Sequence, residues 1–335
     1  MTYKIMAAAA LVVTFVVTVL ISKKLIPVLK SKKMGQKILD IGPRWHKSKE
    51  GTPTMGGIAF IVAMLIVGAG ISAFIWIHDG ADAALPLIFT LGLGLAGGLI
   101  GCIDDTAKLR NKRNEGLSAS QKFLLQLLAA ALYLFGMTMV FGINTEIYIP
   151  FADVTFELGI FYYVVSLILI CGMLNSVNLT DGIDGLASSV TLVVGIFFVA
   201  AGFANGLAEP DPSLLSLGAL TVGGCAGFLV YNLNPARVFM GDTGSIFLGG
   251  LVVGGAFMMN NPLIIVVCGL VYIIETASVM LQVTYFKLTH GKRLFKMAPI
   301  HHHFEKCGWS ENKIVAVFTL ATAVLSIVAF FGLRK

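Results

Sequence analysis

The chain has 335 residues, 57% of them hydrophobic and only 13% charged, with a formal net charge of +6. A soluble domain carries about a quarter charged residues, so the apolar excess here has to face lipid rather than water. The basic residues lie between apolar runs instead of forming one basic face; this argues against nucleic acid as a partner and reads as a membrane topology signal, with the lipid bilayer as the surrounding phase.

A bilayer core takes about 20 mostly apolar residues per helix. Ten such runs are predicted, at 5–29, 56–77, 84–103, 123–143, 158–175, 186–205, 213–231, 245–260, 262–287 and 313–333. The expected fold class is therefore an all-α polytopic membrane protein, a single integral membrane domain over 1–335. The stretches 22–55, 104–122, 175–187, 231–245 and 286–313 hold 21 of the 24 Lys and Arg residues. That bias predicts these five on the cytoplasmic side and both termini outside. On the other side, "TEIYIPFADVTFE" alternates around a proline and predicts a small outer β-hairpin. The five cysteines form no CxxC pair and read as small, mostly buried apolar residues.

In chain order, the first polar motif is "WHKSKEGTPTMGG", where Lys47, Lys49 and Thr54 precede the second span. Anchoring at the membrane surface accounts for the lysines, less well for the threonines and the glycine pair. Next, "LIGCIDDTAKLRNKR" closes the third span. Asp104 and Lys108 are four residues apart and share a helical face. The set reads either as an interfacial ion pair or as a carboxylate pair for metal or proton handling beside a phosphate-binding cation. Adjacent carboxylates suit Mg²⁺, which takes one or two carboxylates plus substrate phosphates.

Between the fifth and sixth spans, "NSVNLTDGIDGLASS" gathers Asn175, Asn178, Asp181 and Asp184 around two glycines, without a single Lys or Arg. Glycines let backbone approach a ligand closely, although Asp184 alone could cap the sixth helix. In "YNLNPARVFMGDTGSIFLGG", Asp242 precedes a helix expected to start near Ser245. A carboxylate at that positive helix end would repel phosphate unless a cation bridges them, so Asp242 reads as a metal ligand or as an N-cap. Glu275 and Gln282 lie seven residues apart on one face of the ninth span. An acid there is either functional or paired within the bundle. Last, "APIHHHFEKCGW" holds three consecutive histidines, which cannot easily converge on one ion. They read as a contact site for phosphate or sugar, or as a basic surface loop.

"DDTAK", "NLTDGIDGL", "FMGDTGS" and "MAPIHHHFE" occur in this order, on the predicted cytoplasmic side, and together resemble the polyprenyl-phosphate N-acetylhexosamine-1-phosphate transferases. "GTPTMGG" and the triple-His loop resemble the branch of that family that uses UDP-MurNAc-pentapeptide. The resemblance covers essentially the whole chain. It implies ten transmembrane helices in the bacterial cytoplasmic membrane, an active site facing the cytoplasm and a Mg²⁺ requirement. It implies transfer of phospho-MurNAc-pentapeptide from UDP-MurNAc-pentapeptide to undecaprenyl phosphate, giving lipid I and UMP. A sister enzyme using UDP-GlcNAc shares the core motifs but not the histidine loop. An ion-coupled transporter is the rival from another class, disfavoured because most acids sit at one membrane face.

On this resemblance Asp104, Asp105, Lys108, Asp242 and His301 are the expected catalytic residues. Asp242 would ligate Mg²⁺, with Asp105 as second ligand, and Asp104 would orient or deprotonate the acceptor phosphate. Asn178, Asp181, Gly182, Ile183, Asp184, Asn232 and Phe239 would form the nucleoside pocket, with Gln282 at the uracil edge. Lys49, Thr54, Lys122, His302 and His303 would line the sugar-phosphate region. The sequence leaves the oligomeric state open, a homodimer included.

Overall fold

The computed structural model describes residues 2–32, 34–35, 49–111, 116–142, 145–204 and 210–333. Lys47 lies outside these residues. The chain is helical almost throughout, because backbone in lipid has to satisfy its own N–H and C=O groups. Its helices begin with α1 (Thr2–Ser31), α2 (Ile58–Asp79), α3 (Ala81–Asn111) and α4 (Ala119–Phe141). Strands β1 (Glu146–Ile149) and β2 (Val154–Glu157) then pair antiparallel, Glu146 opposite Glu157 and Ile149 opposite Val154, which is the expected hairpin. There follow α5 (Ile160–Thr180), α6 (Leu186–Ala204), α7 (Pro212–Asn232), α8 (Gly241–Met258), α9 (Ile265–Cys268), α10 (Leu270–Leu288), α11 (Ile300–Lys306) and α12 (Glu311–Phe331). Among the described residues, nine helices are long and apolar enough to cross a bilayer, and a bent pair makes a tenth.

That bent pair corrects the span expected at 262–287. A 3₁₀ turn at Pro262–Ile264 runs into α9, and the two meet α10 at 79°. The break falls at Gly269, whose N–H donates to Ile265 O at 2.8 Å. A Cβ at Gly269 would sit 2.6 Å from that same oxygen, so a kink this tight requires glycine. A second difference is the start of α8, at Gly241 rather than near Ser245, which puts Asp242 inside the first turn. The third is the histidine triplet, which lies on the short helix α11 and not on a loop.

Helix α8 is buried from Thr243 to Met258 and packs between α3 and α5. Lipid tails are as apolar as leucine, so close packing rather than water exclusion holds such helices together. Small residues make it possible. Gly250 faces Gly94, where a Cβ would come within 2.7 Å of the Gly94 Cα. Gly101 lies against the backbone carbonyl of Asp242, leaving no room for any side chain. This contact sets the last two turns of α3, which begin at its two aspartates, beside the N-terminus of α8. The outward faces of α1, α4 and α12 carry exposed Leu20, Leu128, Leu132, Phe135, Leu320 and Phe331, the surface suited to acyl chains.

Candidate functional site

The polar groups gather where α3 ends and α4 and α8 begin. Lys108 Nζ lies 2.8 Å from Asp104 Oδ2, one turn apart on α3, and 2.9 Å from Asp242 Oδ2 across on α8. Lys122 Nζ reaches the same two oxygens, at 3.4 Å and 2.6 Å. Two carboxylates thus share two ammonium groups. Lys122 is placed by the start of α4: Ser118 Oγ accepts the Gln121 N–H at 3.2 Å, and Gln121 Oε1 accepts the Ser118 N–H at 3.0 Å. This reciprocal capping box starts the helix at Ala119, three residues before Lys122, and so fixes where that side chain leaves the first turn. Asp104 is 3% exposed, and its Oδ1 accepts the Leu117 N–H at 2.7 Å, tying α3 to the entry of α4. Asn178, near the end of α5, donates through Nδ2 to Asp242 Oδ1 at 3.0 Å and to Ser245 Oγ at 2.8 Å.

Asp105 has a different position from the metal ligand expected. Its Oδ1 accepts the Asp242 N–H at 3.2 Å, and its Oδ2 accepts the Thr243 N–H at 3.0 Å and the Thr243 hydroxyl at 2.7 Å. These are the second and third amides of α8, whose own N-cap, Met240, has no side-chain acceptor. Asp105 therefore caps α8 from a neighbouring helix, satisfying amides that would otherwise be orphaned. The cap role expected as the alternative for Asp242 belongs to Asp105. Gly241, at φ +72°, makes room: a Cβ there would lie 2.5 Å from Asp105 Oδ2.

The 181–185 loop is held from three sides. Asp184 Oδ1 accepts from Lys49 Nζ at 2.7 Å, and Oδ2 accepts from Asn234 Nδ2 at 3.0 Å and the Ala236 N–H at 2.9 Å. Lys49 also meets Glu311 Oε2 at 2.6 Å, and Glu311 accepts the Asp184 N–H at 3.1 Å. Asp184 is thus a tie between segments rather than a cap of α6. Asn232, 2% exposed, bridges the Gly185 N–H and Val238 O. Ile183 is buried. Asp181, half-buried at the end of α5, has its carboxyl pushed well above the usual range by burial and then by the negative charges of Asp242, Asp105 and Asp184. The segment carrying Thr54 is stitched to that carrying Phe239: the Phe239 N–H donates to Pro53 O and the Gly56 N–H to Phe239 O, each at 2.8 Å. Thr54 Oγ1 lies beside Gly241.

The histidines are individually held. His301 and Glu275 are both fully buried, with Nδ1 and Oε2 2.9 Å apart. His302 Nδ1 meets Glu305 Oε2 at 2.5 Å. His303 Nδ1 accepts the Lys296 N–H at 3.1 Å, and its ring lies between Phe295 and Phe304. Burial of His301 and His302 rules out the plain surface loop. Gln282 Oε1 accepts the Leu294 and Phe295 N–H groups at 3.1 and 2.8 Å, pinning the segment that leads into α11.

Thr243, Ser245, Asn234, Glu305 and Glu311 contribute contacts that residue-by-residue reading missed. Thr243 and Ser245 sit within "GDTGS", and Glu311 is the first-turn acid of α12, but nothing local in the sequence assigns their partners.

Among the described residues no three or more His, Cys, Asp and Glu side chains are arranged to cage a metal. Mg²⁺ does not need a cage: one or two carboxylates suffice when substrate phosphates complete the shell. Asp242 fits that scheme, with its side chain 18% exposed and its oxygens on lysine and asparagine donors. Asp105, by contrast, is engaged by two amides and a hydroxyl of α8.

Residues 85–260, which span the Asp104 and Asp242 motifs, match the family described as Glycosyl transferase family 4. Residues 49–61, with Lys49 and Thr54, match Phospho-N-acetylmuramoyl-pentapeptide-transferase signature 1. The chain is 45% identical over 322 residues to the phospho-N-acetylmuramoyl-pentapeptide-transferase of Clostridioides difficile (strain 630), covering 95% of this chain and 96% of that one. It is 44% identical over 330 residues to the protein of that name from Clostridium botulinum (strain Alaska E43 / Type E3), covering 97% and 96%. For the one from Desulfitobacterium hafniense (strain DSM 10664 / DCB-2) the identity is 43% over 339 residues, covering 98% of each. With that identity over nearly its whole length, the chain belongs to the phospho-N-acetylmuramoyl-pentapeptide-transferase family.

Proposed function

We propose that this multi-pass bacterial membrane protein transfers phospho-MurNAc-pentapeptide from UDP-MurNAc-pentapeptide to undecaprenyl phosphate, giving lipid I and UMP. The names of its relatives and the signature at 49–61 support the substrate. One observation carries the chemistry: Asp104 and Asp242 share Lys108 and Lys122 at one membrane face. The Lys and Arg bias supports reading that face as cytoplasmic, where a nucleotide-sugar arrives.

Phosphoryl transfer needs alignment and charge neutralisation more than covalent machinery. An oxygen of undecaprenyl phosphate attacks the phosphorus that bears the sugar, and the bond from that phosphorus to the bridging oxygen of UMP breaks. Lys108 and Lys122 are placed to neutralise the phosphate oxygens. Asp104, behind them, orients the acceptor through the lysines; removing its proton is a small task, because a phosphate monoester is largely ionised near neutral pH. Asp242 would hold Mg²⁺, which supplies charge neutralisation on the diphosphate. Asn178 keeps the Asp242 carboxylate in place. Asp181, Gly182 and Phe239 would contact the nucleoside, on a loop shaped by Ile183, Asp184 and Asn232. Thr54, His302 and His303 would lie towards the sugar, and Lys49 would hold the rim.

The test is UMP release from UDP-MurNAc-pentapeptide by purified protein. Release that requires both Mg²⁺ and undecaprenyl phosphate is expected. No release with both present sinks the proposal, and release with UDP-GlcNAc instead would reassign the substrate.

A further inference from the structure

Glu275 takes no part in the steps above, yet it lies in the second turn of α10 with no exposure to solvent. An acid inside a membrane-spanning helix is costly, and its partner identifies its use. That partner is His301, through Nδ1. With Glu275 as the acceptor, the proton of this bond lies on Nδ1 and the other ring nitrogen, Nε2, is the one left to act. Nε2 is buried and has no hydrogen-bond partner among the described residues. An orphaned buried polar group is costly, and a site retains one when a ligand completes it.

The direction of Nε2 is fixed by Gly182. A Cβ on Gly182 would overlap Nε2, so the ring edge occupies the space a side chain would take in the middle of the Asp181–Asp184 loop. The neighbouring histidines show that the arrangement is specific. His302 Nδ1 faces a carboxylate like that of His301, whereas His303 Nδ1 accepts a backbone N–H and must carry its proton on the opposite nitrogen. Three adjacent imidazoles thus have their orientations set one by one, by Glu275, Glu305 and the Lys296 amide.

We propose that Glu275 is a positioning residue for the transfer. It fixes His301 in one ring orientation with the proton on Nδ1, so that the Nε2 lone pair is presented to the 181–184 loop and accepts from a hydroxyl group of a nucleotide-sugar held there. This rests on the reading of the site given above. Glu275 acts through His301 and touches no substrate itself.

Two near-isosteric variants test it. E275Q keeps an acceptor oxygen where Oε2 was; E275M keeps the volume without one. The kcat of E275M is expected to fall about ten-fold or more, the size of effect that outer-shell orienting partners carry, with KM for UDP-MurNAc-pentapeptide within about three-fold of wild type. E275Q is expected to stay within about three-fold on both constants. In protein labelled with ¹⁵N-histidine, His301 should be protonated on Nδ1 in wild type and E275Q and should lose that preference in E275M. The spectrum needs no turnover, so it separates this proposal from the transferase reading, which fails if the wild type releases no UMP. Equal kcat values for E275M and E275Q, or an Nδ1 that stays protonated in E275M, overturn the proposal.

Discussion

Two polar assemblies lie at this membrane face, and they are built in opposite ways. The cluster of Asp104, Asp242, Lys108 and Lys122 is partly open, with side chains of 17% and 34% exposure on the lysines, and each group has more than one partner. The Glu275–His301 pair is sealed, and among the described residues each side chain has one hydrogen-bond partner, the other. Shared partners let a cluster exchange one for another, which suits a site where charged phosphates arrive and leave. A single partner in a dry setting holds one geometry, which suits orientation. The difference teaches that exchangeable charge pairing and fixed ring orientation are built into separate parts of the molecule.

The largest effect should come from the open cluster. Removing the Asp104 charge leaves both lysines biased towards Asp242 and the acceptor unoriented. D104N is expected to lower kcat by about 10²–10³, the range seen when one preorganised electrostatic group is lost. A steady-state assay of UMP release checks this, and a loss under about five-fold would assign the alignment elsewhere.

K122M leaves the Asp242–Asp104 pair with one cation instead of two. Because the lysine is partly exposed, solvent tempers the cost, and kcat/KM for the nucleotide-sugar should fall about ten-fold. High salt should weaken wild type towards the variant, since exposed charges are screened. No salt sensitivity in wild type would place the lysines away from the phosphates.

The sealed pair is tested by crowding. G182A drives a methyl group into His301 Nε2. Overpacking of this kind costs about 1–3 kcal/mol, so the protein should melt earlier and lose turnover, while K122M should lose turnover with little change in melting. An unchanged melting curve for G182A would mean that the loop and the ring do not touch.

The smallest effect concerns Asp105. D105A removes the borrowed cap of α8, worth about 0.5–2 kcal/mol, and should show mainly as reduced thermal stability. A collapse of turnover with stability intact would restore Asp105 to the chemistry.

Much of this was legible in the sequence, and the reasons are physical. Apolar run length locates the spans, though not the break at Gly269, and the alternating "TEIYIPFADVTFE" forms its hairpin. Asp104 and Lys108 meet because they are one helical turn apart. Lys122 and Asp242 are 120 residues apart, so no local period could pair them. Asp105 resembles its neighbour Asp104 in the sequence, but adjacent helical residues face in directions about 100° apart, and only packing of α3 on α8 shows that one meets the two lysines and the other caps α8. Glu275 was visible as an acid in lipid; that it meets His301 depends on the bend at Gly269 and the short helix α11, which hydropathy does not record.

The most direct test is UMP release by D242N at saturating Mg²⁺, with undecaprenyl phosphate present and folding confirmed by an unchanged melting profile. Asp242 joins both lysines, Asn178 and the proposed metal position, so the account predicts a fall of about 10³-fold or more in kcat. Turnover within about two-fold of wild type would contradict it.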